Sequence, residues 1–197
     1  LEHLRREMIE VAVYFESPGK HNTGQVAELA LKRAEELGIN HIVVASNTGY
    51  TANFFVGKGP KLVVVTHHVG FREPGFDEMS PEARESLKQQ GAEVLTTTHL
   101  FANVERAVTK QFGGLYPGGL ISHTLRMFGQ GTKVAVEIAT MALDAGLIPY
   151  GEPVIAVGGT SRGADTALVL IPAHANAIFD TQILEIVCKP RRPKNPN

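Results

Sequence analysis

The chain has 197 residues, of which 43% are hydrophobic and 20% charged, and a formal net charge of −1. This is the balance of a globular protein long enough to bury a sizeable core, without the concentrated basic face that nucleic acid requires or the ~20-residue apolar run of a membrane span. The single cysteine, Cys188, excludes an internal disulfide and fits a reducing, cytoplasmic setting.

The start, Leu1-Glu2-His3-Leu4-Arg5-Arg6, lacks the apolar core of a signal peptide. Ile9 to Phe15 reads as a first strand, followed by the loop Glu16 to Asn22. Thr23 or Asn22 then caps a helix over 24–37, with Val26, Ala27, Leu29, Ala30, Ala34 and Leu37 on one face and Gly38 as its stop. A second strand spans His41 to Ala45, and a helix after Gly49 ends near Gly57 or Gly59. Lys61 to Thr66 is a third, wholly buried strand. Ser80 as N-cap and Pro81 at the first helical position start a helix that runs to Gly91. Glu93 to Thr97 is a fourth strand, Asn103 opens another helix, and Gly113-Gly114 and Pro117-Gly118-Gly119 interrupt it. Helices over 120–128 and 132–145 follow, with Met127, Phe128 and Met141 read as packing residues and Glu137 and Asp144 as solvent-facing or salt-bridged. Pro153 to Val157, Ala167 to Ile171 and Ile183 to Val187 complete the strands, the last ending at Cys188, a buried structural thiol.

This alternation predicts an α/β fold: three α/β/α layers around a mostly parallel, mixed central sheet. The short gap between Val157 and Ala167 holds no crossover helix, so that pair is expected to be antiparallel. Residues 1–190 read as one domain, and 191–197, basic and broken by Pro193 and Pro196, as a disordered tail.

Ligands in such sheets sit beyond the carboxyl ends of the strands, and the loops there carry the chemistry. The second strand breaks into Ser46, Asn47, Thr48, Gly49, Tyr50 and Thr51. Small hydroxyl residues around a glycine at a helix start make a cup for an anion, with unpaired N–H groups and the positive dipole end facing it. The third loop offers His67 and His68, which point to opposite faces and cannot chelate one ion together. One is expected to face the crevice as a hydrogen-bonding or acid–base group, unless both are satisfied surface histidines. The fifth loop is Gly158, Gly159, Thr160, Ser161, Arg162, Gly163, Ala164 and Asp165. Phe54, Phe55 and Phe71 lie near the crevice and could wall a flat ring, although Phe54 and Phe55 read first as core.

No complete P-loop is present, since Gly19-Lys20 and Gly57-Lys58 lack the upstream glycine, and no Gly-x-Gly-x-x-Gly follows a strand. Gly159 to Gly163 matches Gly-x-Ser-x-Gly, but that elbow needs a helix straight after the serine. Thr166 to Pro172 looks like a strand instead. There is no metal-ligand spacing.

The run Ile42-Val43-Val44-Ala45-Ser46-Asn47-Thr48-Gly49-Tyr50-Thr51-Ala52, followed by Gly59-Pro60-Lys61-Leu62-Val63-Val64-Val65-Thr66, resembles the C-terminal α/β domain of pyruvate kinase. In that family the first loop holds a phosphate of a sugar-phosphate effector, and a last glycine-rich loop, similar to Gly158 to Asp165, closes over it. The resemblance implies a phosphate site at Ser46, Asn47, Thr48, Gly49 and Thr51, in a stand-alone domain without the family's catalytic barrel and without kinase activity. The family often carries Lys and Arg in the first loop, where this chain has Asn47 and Tyr50.

The expected ligand is therefore a phosphorylated small molecule or nucleotide, bound by Ser46, Asn47, Thr48, Gly49, Thr51, His67, Gly158, Gly159, Thr160, Ser161, Gly163 and Asp165. Neutral hydroxyls favour one modestly charged phosphate over a polyphosphate. Aromatic neighbours make FMN the leading candidate. A binding or regulatory module and a flavin-dependent oxidoreductase are the two readings, with a serine hydrolase built on Ser161 as a further alternative. A homo-oligomer is compatible with the sequence; nucleic acid and membrane partners are not expected.

Overall fold

A computed structural model of the chain describes residues 12–191. Residues 9–11 of the expected first strand, the N-terminal segment and the tail beyond Arg191 lie outside the described residues. Among these residues the strands are β1 (Val13–Phe15), β2 (His41–Ala45), β3 (Lys61–Val65), β4 (Glu93–Leu95), β5 (Val154–Gly158), β6 (Thr166–Ile171) and β7 (Gln182–Pro190). The helices are α1 (Thr23–Leu37), α2 (Pro81–Gln89), α3 (Asn103–Phe112), α4 (Pro117–Arg126) and α5 (Gln130–Asp144). All seven strands join one sheet in the order β1-β7-β6-β5-β2-β3-β4. β6 runs against both of its neighbours, and every other adjacent pair is parallel. The expected three-layer mixed sheet and the antiparallel β5–β6 pair are thus what the chain forms.

Alternation along the strands divides the core. Ile42, Val44, Leu62, Val64, Ile155 and Val157 pack with Val26, Ala27, Ala30 and Ala34 of α1 and Leu87 of α2. Val43, Val63, Val65, Val154 and Ala156 face the other way, onto Ala135, Ile138, Ala139 and Ala142 of α5. Each such aliphatic side chain removed from water stabilises by about 1.5–3 kcal/mol. The central strands are apolar on both faces because both faces are covered. α1 is also held to β7 by a two-pronged ion pair: the Arg33 Nε and Nη2 donate to Glu185 at 2.8 and 2.7 Å. The carboxylates of Glu185 and Glu36 raise the Arg33 pKa.

Several local expectations change. α1 has no side-chain N-cap; the Asn22 amide donates to Ser17 O at 2.8 Å and the Thr23 hydroxyl to Lys20 O at 2.7 Å. Ser80 does cap α2, accepting from Ala83 N at 3.2 Å. α3 ends at Phe112, before Gly113-Gly114, as expected, but α4 begins at Pro117 instead of Leu120, so Gly118 and Gly119 lie inside it. Their N–H groups donate to the Glu105 carboxylate at 3.1 Å each, a cap supplied from α3. Met127 and Phe128 are 82% and 54% exposed, not packed, because α4 stops at Arg126 and Gly129 turns the chain into α5. Cys188 is fully buried, and burial pushes its thiol up to about 12. Among the described residues, no helix is long and apolar enough to cross a membrane.

α5 enters against the end of β5 with no space between them. A Cβ on Gly158 would overlap the Gly131 carbonyl oxygen and sit 3.0 Å from Ala135 N. Gly158→Ala is expected to lower unfolding free energy by about 1–3 kcal/mol, read from denaturant titration; an unchanged midpoint would show that α5 yields at this contact.

Candidate functional site

A crevice of about 680 Å³ opens beyond the carboxyl ends of β2, β3 and β5, within the range of small-molecule sites. Of the residues expected there, Ser46, Asn47, Thr48, Thr51, His67, Gly159, Ser161 and Gly163 line it. Four others serve elsewhere. A Cβ on Gly49, which has a φ of +87°, would point at Leu87 and Ala83 of α2. Gly158 is closed off by Gly131. Thr160 lines a smaller cavity of about 120 Å³ beside Met127 and Lys189. Asp165 is fully buried.

The Asp165 carboxylate accepts from Gly19 N and Thr160 N at 3.1 Å each and from the Thr166 hydroxyl at 2.8 Å. It therefore ties the β1–α1 loop to the β5–β6 turn. Beside it, Thr23 Oγ1 accepts from Ala164 N at 3.0 Å. The turn itself contains Ser161 in the left-handed region at φ +67°. β6 follows this turn without any helix, so the nucleophile-elbow geometry is not formed.

The β2 loop also differs from expectation. No α-helix follows Gly49; one 3-10 turn, Ala52–Phe54, takes its place. Phe55 plugs the core at 1% exposure, and Gly57 and Gly59, both at positive φ, turn the chain toward β3. With only this short turn present, no α-helix dipole follows the loop. Ser46 Oγ accepts from Ala52 N at 3.3 Å, leaving its own proton free to donate. Thr48 is exposed at the crevice mouth.

One wall is a hydrogen-bonded set around His67. Its backbone N donates to Asn47 Oδ1 at 2.9 Å, and its Nε2 lies 3.2 Å from Asn47 Nδ2. Its Nδ1 is 2.6 Å from Glu78 Oε1, whose other oxygen pairs with Arg72 Nε at 2.9 Å. The ring stacks on Phe71 at 3.7 Å between centroids. His68 instead turns its Nδ1 to Val69 O. His99 lies 5.4 Å from His67, and burial lowers its pKa, with Glu137 opposing the shift. His99 escaped sequence reasoning because Thr96 and Thr97 read as strand, whereas β4 ends at Leu95.

Six cations also line the crevice, none of them among the expected ligand-binding residues. Lys20, Arg72, Arg106, Arg126, Lys133 and Arg162 all reach the crevice. Glu78 pairs with Arg72 and Glu137 with Lys133. Among the described residues, Lys20, Arg106, Arg126 and Arg162 have no carboxylate within ion-pairing distance. Lys20 Nζ lies 4.0 Å from the centre of the Tyr50 ring, and Arg106 Cζ lies 5.7 Å from that of Phe71. Lys133 and Glu137 are buried on the crevice side of α5. Their four-residue spacing inside an otherwise apolar helix was the available signal. Among the described residues, no group of three or more His, Cys, Asp or Glu could hold a metal ion. The arrangement is suited to hold an anion by charge-assisted hydrogen bonds beside aromatic faces.

Residues 24–170 match the family model described as pyruvate kinase, alpha/beta domain. Among solved structures, a pyruvate kinase from Cryptosporidium parvum in complex with ADP matches 85% of this chain and 25% of its own, at 18% identity and a TM-score of 0.39. A second structure of a Cryptosporidium parvum pyruvate kinase matches 69% of this chain and 20% of its own, at 19% identity and a TM-score of 0.37. The chain spans about a quarter or less of the length of these enzymes.

Two outcomes follow from this geometry. Asp165→Ala strands two backbone donors and should cost about 3 kcal/mol of stability; a denaturation midpoint within error of wild type would refute the anchor. His99 should titrate below the ordinary 6.5 in an NMR pH series. Because the unfolded chain takes the proton more readily, the stability His99 contributes is complete above 6.5 and is lost as pH falls through the lower folded value.

Proposed function

The chain belongs to the pyruvate kinase alpha/beta domain family, and on that footing we propose that it binds a phosphorylated small molecule in the crevice above β2, β3 and β5. The observation that carries this reading is the rim. Lys20, Arg106, Arg126 and Arg162 face one crevice without carboxylate partners among the described residues, and such a cluster of like charges attracts an anion from solution. Thr48 and the free proton of Ser46 add neutral donors at one end. Tyr50, Phe71 and His67 supply ring faces, which suit a ligand that carries a flat group beside its phosphate. FMN is the candidate that joins these features. The reading is one of binding and assigns no turnover.

Titration with FMN, followed by quenching of its fluorescence, tests the candidate directly. Saturable one-to-one binding that weakens as salt rises is expected. Thr48→Glu sets a carboxylate against the phosphate and should abolish binding, while Arg162→Ala should weaken it about tenfold, the size of one lost charge-assisted hydrogen bond. Undiminished affinity in Thr48→Glu would remove the site assignment. If FMN does not bind but inorganic phosphate does, the phosphate reading stands and the flavin goes. If bound flavin is bleached by NAD(P)H, the protein turns over as an oxidoreductase.

A further inference from the structure

Lys133 and Glu137 stand apart from the rim. Both side chains are almost wholly buried, at 7% and 5% exposure, yet both line the crevice. The Lys133 ammonium donates a hydrogen bond to the Glu137 carboxylate. The second carboxylate oxygen of Glu137 accepts from Phe101 N at 3.0 Å, so the acid is fixed in place. The Lys133 Nζ also lies 5.6 Å from the centre of the Phe101 ring.

This pair gives an anion nothing that the rim does not. Its charges cancel, and a phosphate arriving at Lys133 would have to displace a carboxylate already held from two sides. What it does offer is a primary amine with a proton acceptor one hydrogen bond away, on the wall of a ligand-sized crevice. That is the requirement for an amine nucleophile. We propose that Lys133 forms an imine with a carbonyl group of the bound ligand, with Glu137 carrying the proton, so that the ligand class is a phosphorylated aldehyde or ketone. The inference rests on the phosphate-binding reading and not on FMN, whose amide-type ring carbonyls form no imine: the rim holds the phosphate while an aldehyde or ketone carbonyl reaches α5.

The step balances without an oxidant or reductant. Lys133 passes a proton to Glu137, and the amine forms an Nζ–C bond as the carbonyl π bond opens to a C–O bond. After a second proton moves from nitrogen to that oxygen, Glu137 returns its own, and the C–O bond breaks to release water. The net change is ammonium plus carbonyl to iminium plus water. Burial already pushes the Lys133 ammonium below the usual lysine range, helped by Arg126 and Arg106 and opposed by Glu137, which favours the first transfer.

Borohydride trapping tests the step. The full chain is incubated separately with dihydroxyacetone phosphate and with glyceraldehyde 3-phosphate, reduced with sodium borohydride, and mapped by peptide mass spectrometry. The expected result with at least one probe is a single adduct per chain, on Lys133, suppressed by excess glycerol 3-phosphate, which carries the phosphate but no carbonyl. Glu137→Gln should slow trapping at least about tenfold while leaving its position unchanged. Lys133→Arg, which keeps the charge, should remove the adduct and keep glycerol 3-phosphate binding. The wild-type map decides the matter even if these variants fold poorly. Adducts confined to exposed lysines such as Lys58 and Lys88, or none, overturn the imine. If glycerol 3-phosphate still binds by calorimetry in that case, the phosphate reading survives; if glycerol 3-phosphate, FMN and inorganic phosphate all fail to bind, both readings fall together.

Discussion

The buried carboxylate of Asp165 sets the upper edge of the sheet. Among the described strands β6 alone runs backwards, so the chain must leave β5, turn within a few residues and re-enter the core beside it. A turn this tight leaves backbone N–H groups with no strand partner, and an orphaned donor at that depth is costly. Asp165 accepts from the turn at Thr160, from the β1–α1 loop at Gly19 and from Thr166 at the start of β6. One side chain thereby fixes three segments, two of which, the β1–α1 loop and the β5–β6 turn, line the crevice. Thr166 in turn lies against Gly131, where no Cβ would fit, so the entry of α5 depends on the same point.

The glycines of the fifth loop take their meaning from this crowding. A Cβ on Gly158 would meet the Gly131 carbonyl, one on Gly159 the Gly163 carbonyl, and one on Gly163 the Thr23 hydroxyl. These residues bring backbone against backbone, so that α1, α5 and the β5–β6 turn can converge on one place. Their first role is packing, and the polar groups left to face a ligand come from other residues.

This difference separates what the sequence disclosed from what it hid. β-branched runs marked the strands well, and β2 spans His41–Ala45 as expected, because a strand buried on both faces leaves a composition that needs no partner to be read. After Gly49, Phe54, Phe55 and Val56 imitate an apolar helix face where the chain forms only a 3-10 turn. The chain has only the distance to Lys61 in which to turn, and Phe55 fills the core instead. The start of α4 depends on Glu105 of α3, a contact between elements that no local pattern records. The cations were hidden for the same reason. Arg106, Arg126 and Lys133 come from α3, α4 and α5, and only the folded packing of those helices brings them to the ends of β2 and β3. The strand-end loops carry the hydroxyls with Lys20, Arg72 and Arg162, and the helices supply the other three cations.

That charge also bears on why Lys133 and Glu137 sit where they do. Taking two ions out of water costs several kcal/mol each, and their attraction seldom returns more than it costs; well-packed apolar residues of similar volume serve stability as well or better. Elsewhere α5 follows that logic, with Ala135, Val136, Ile138, Ala139 and Ala142 against the sheet. A pair that adds little to folding, placed where α5 meets the crevice and steadied by Phe101 N, is explained better by what it does to a ligand than by what it does for the helix. The rim cations push in the same direction, since Arg106 and Arg126 make a further positive charge at Lys133 harder to keep. Filling the crevice with an anion would relieve that repulsion while excluding water from the pair. Under the proposed binding of a phosphorylated ligand, the arrangement would couple the two ends of the site: the group that brings the ligand in would also change the proton balance at the amine it meets.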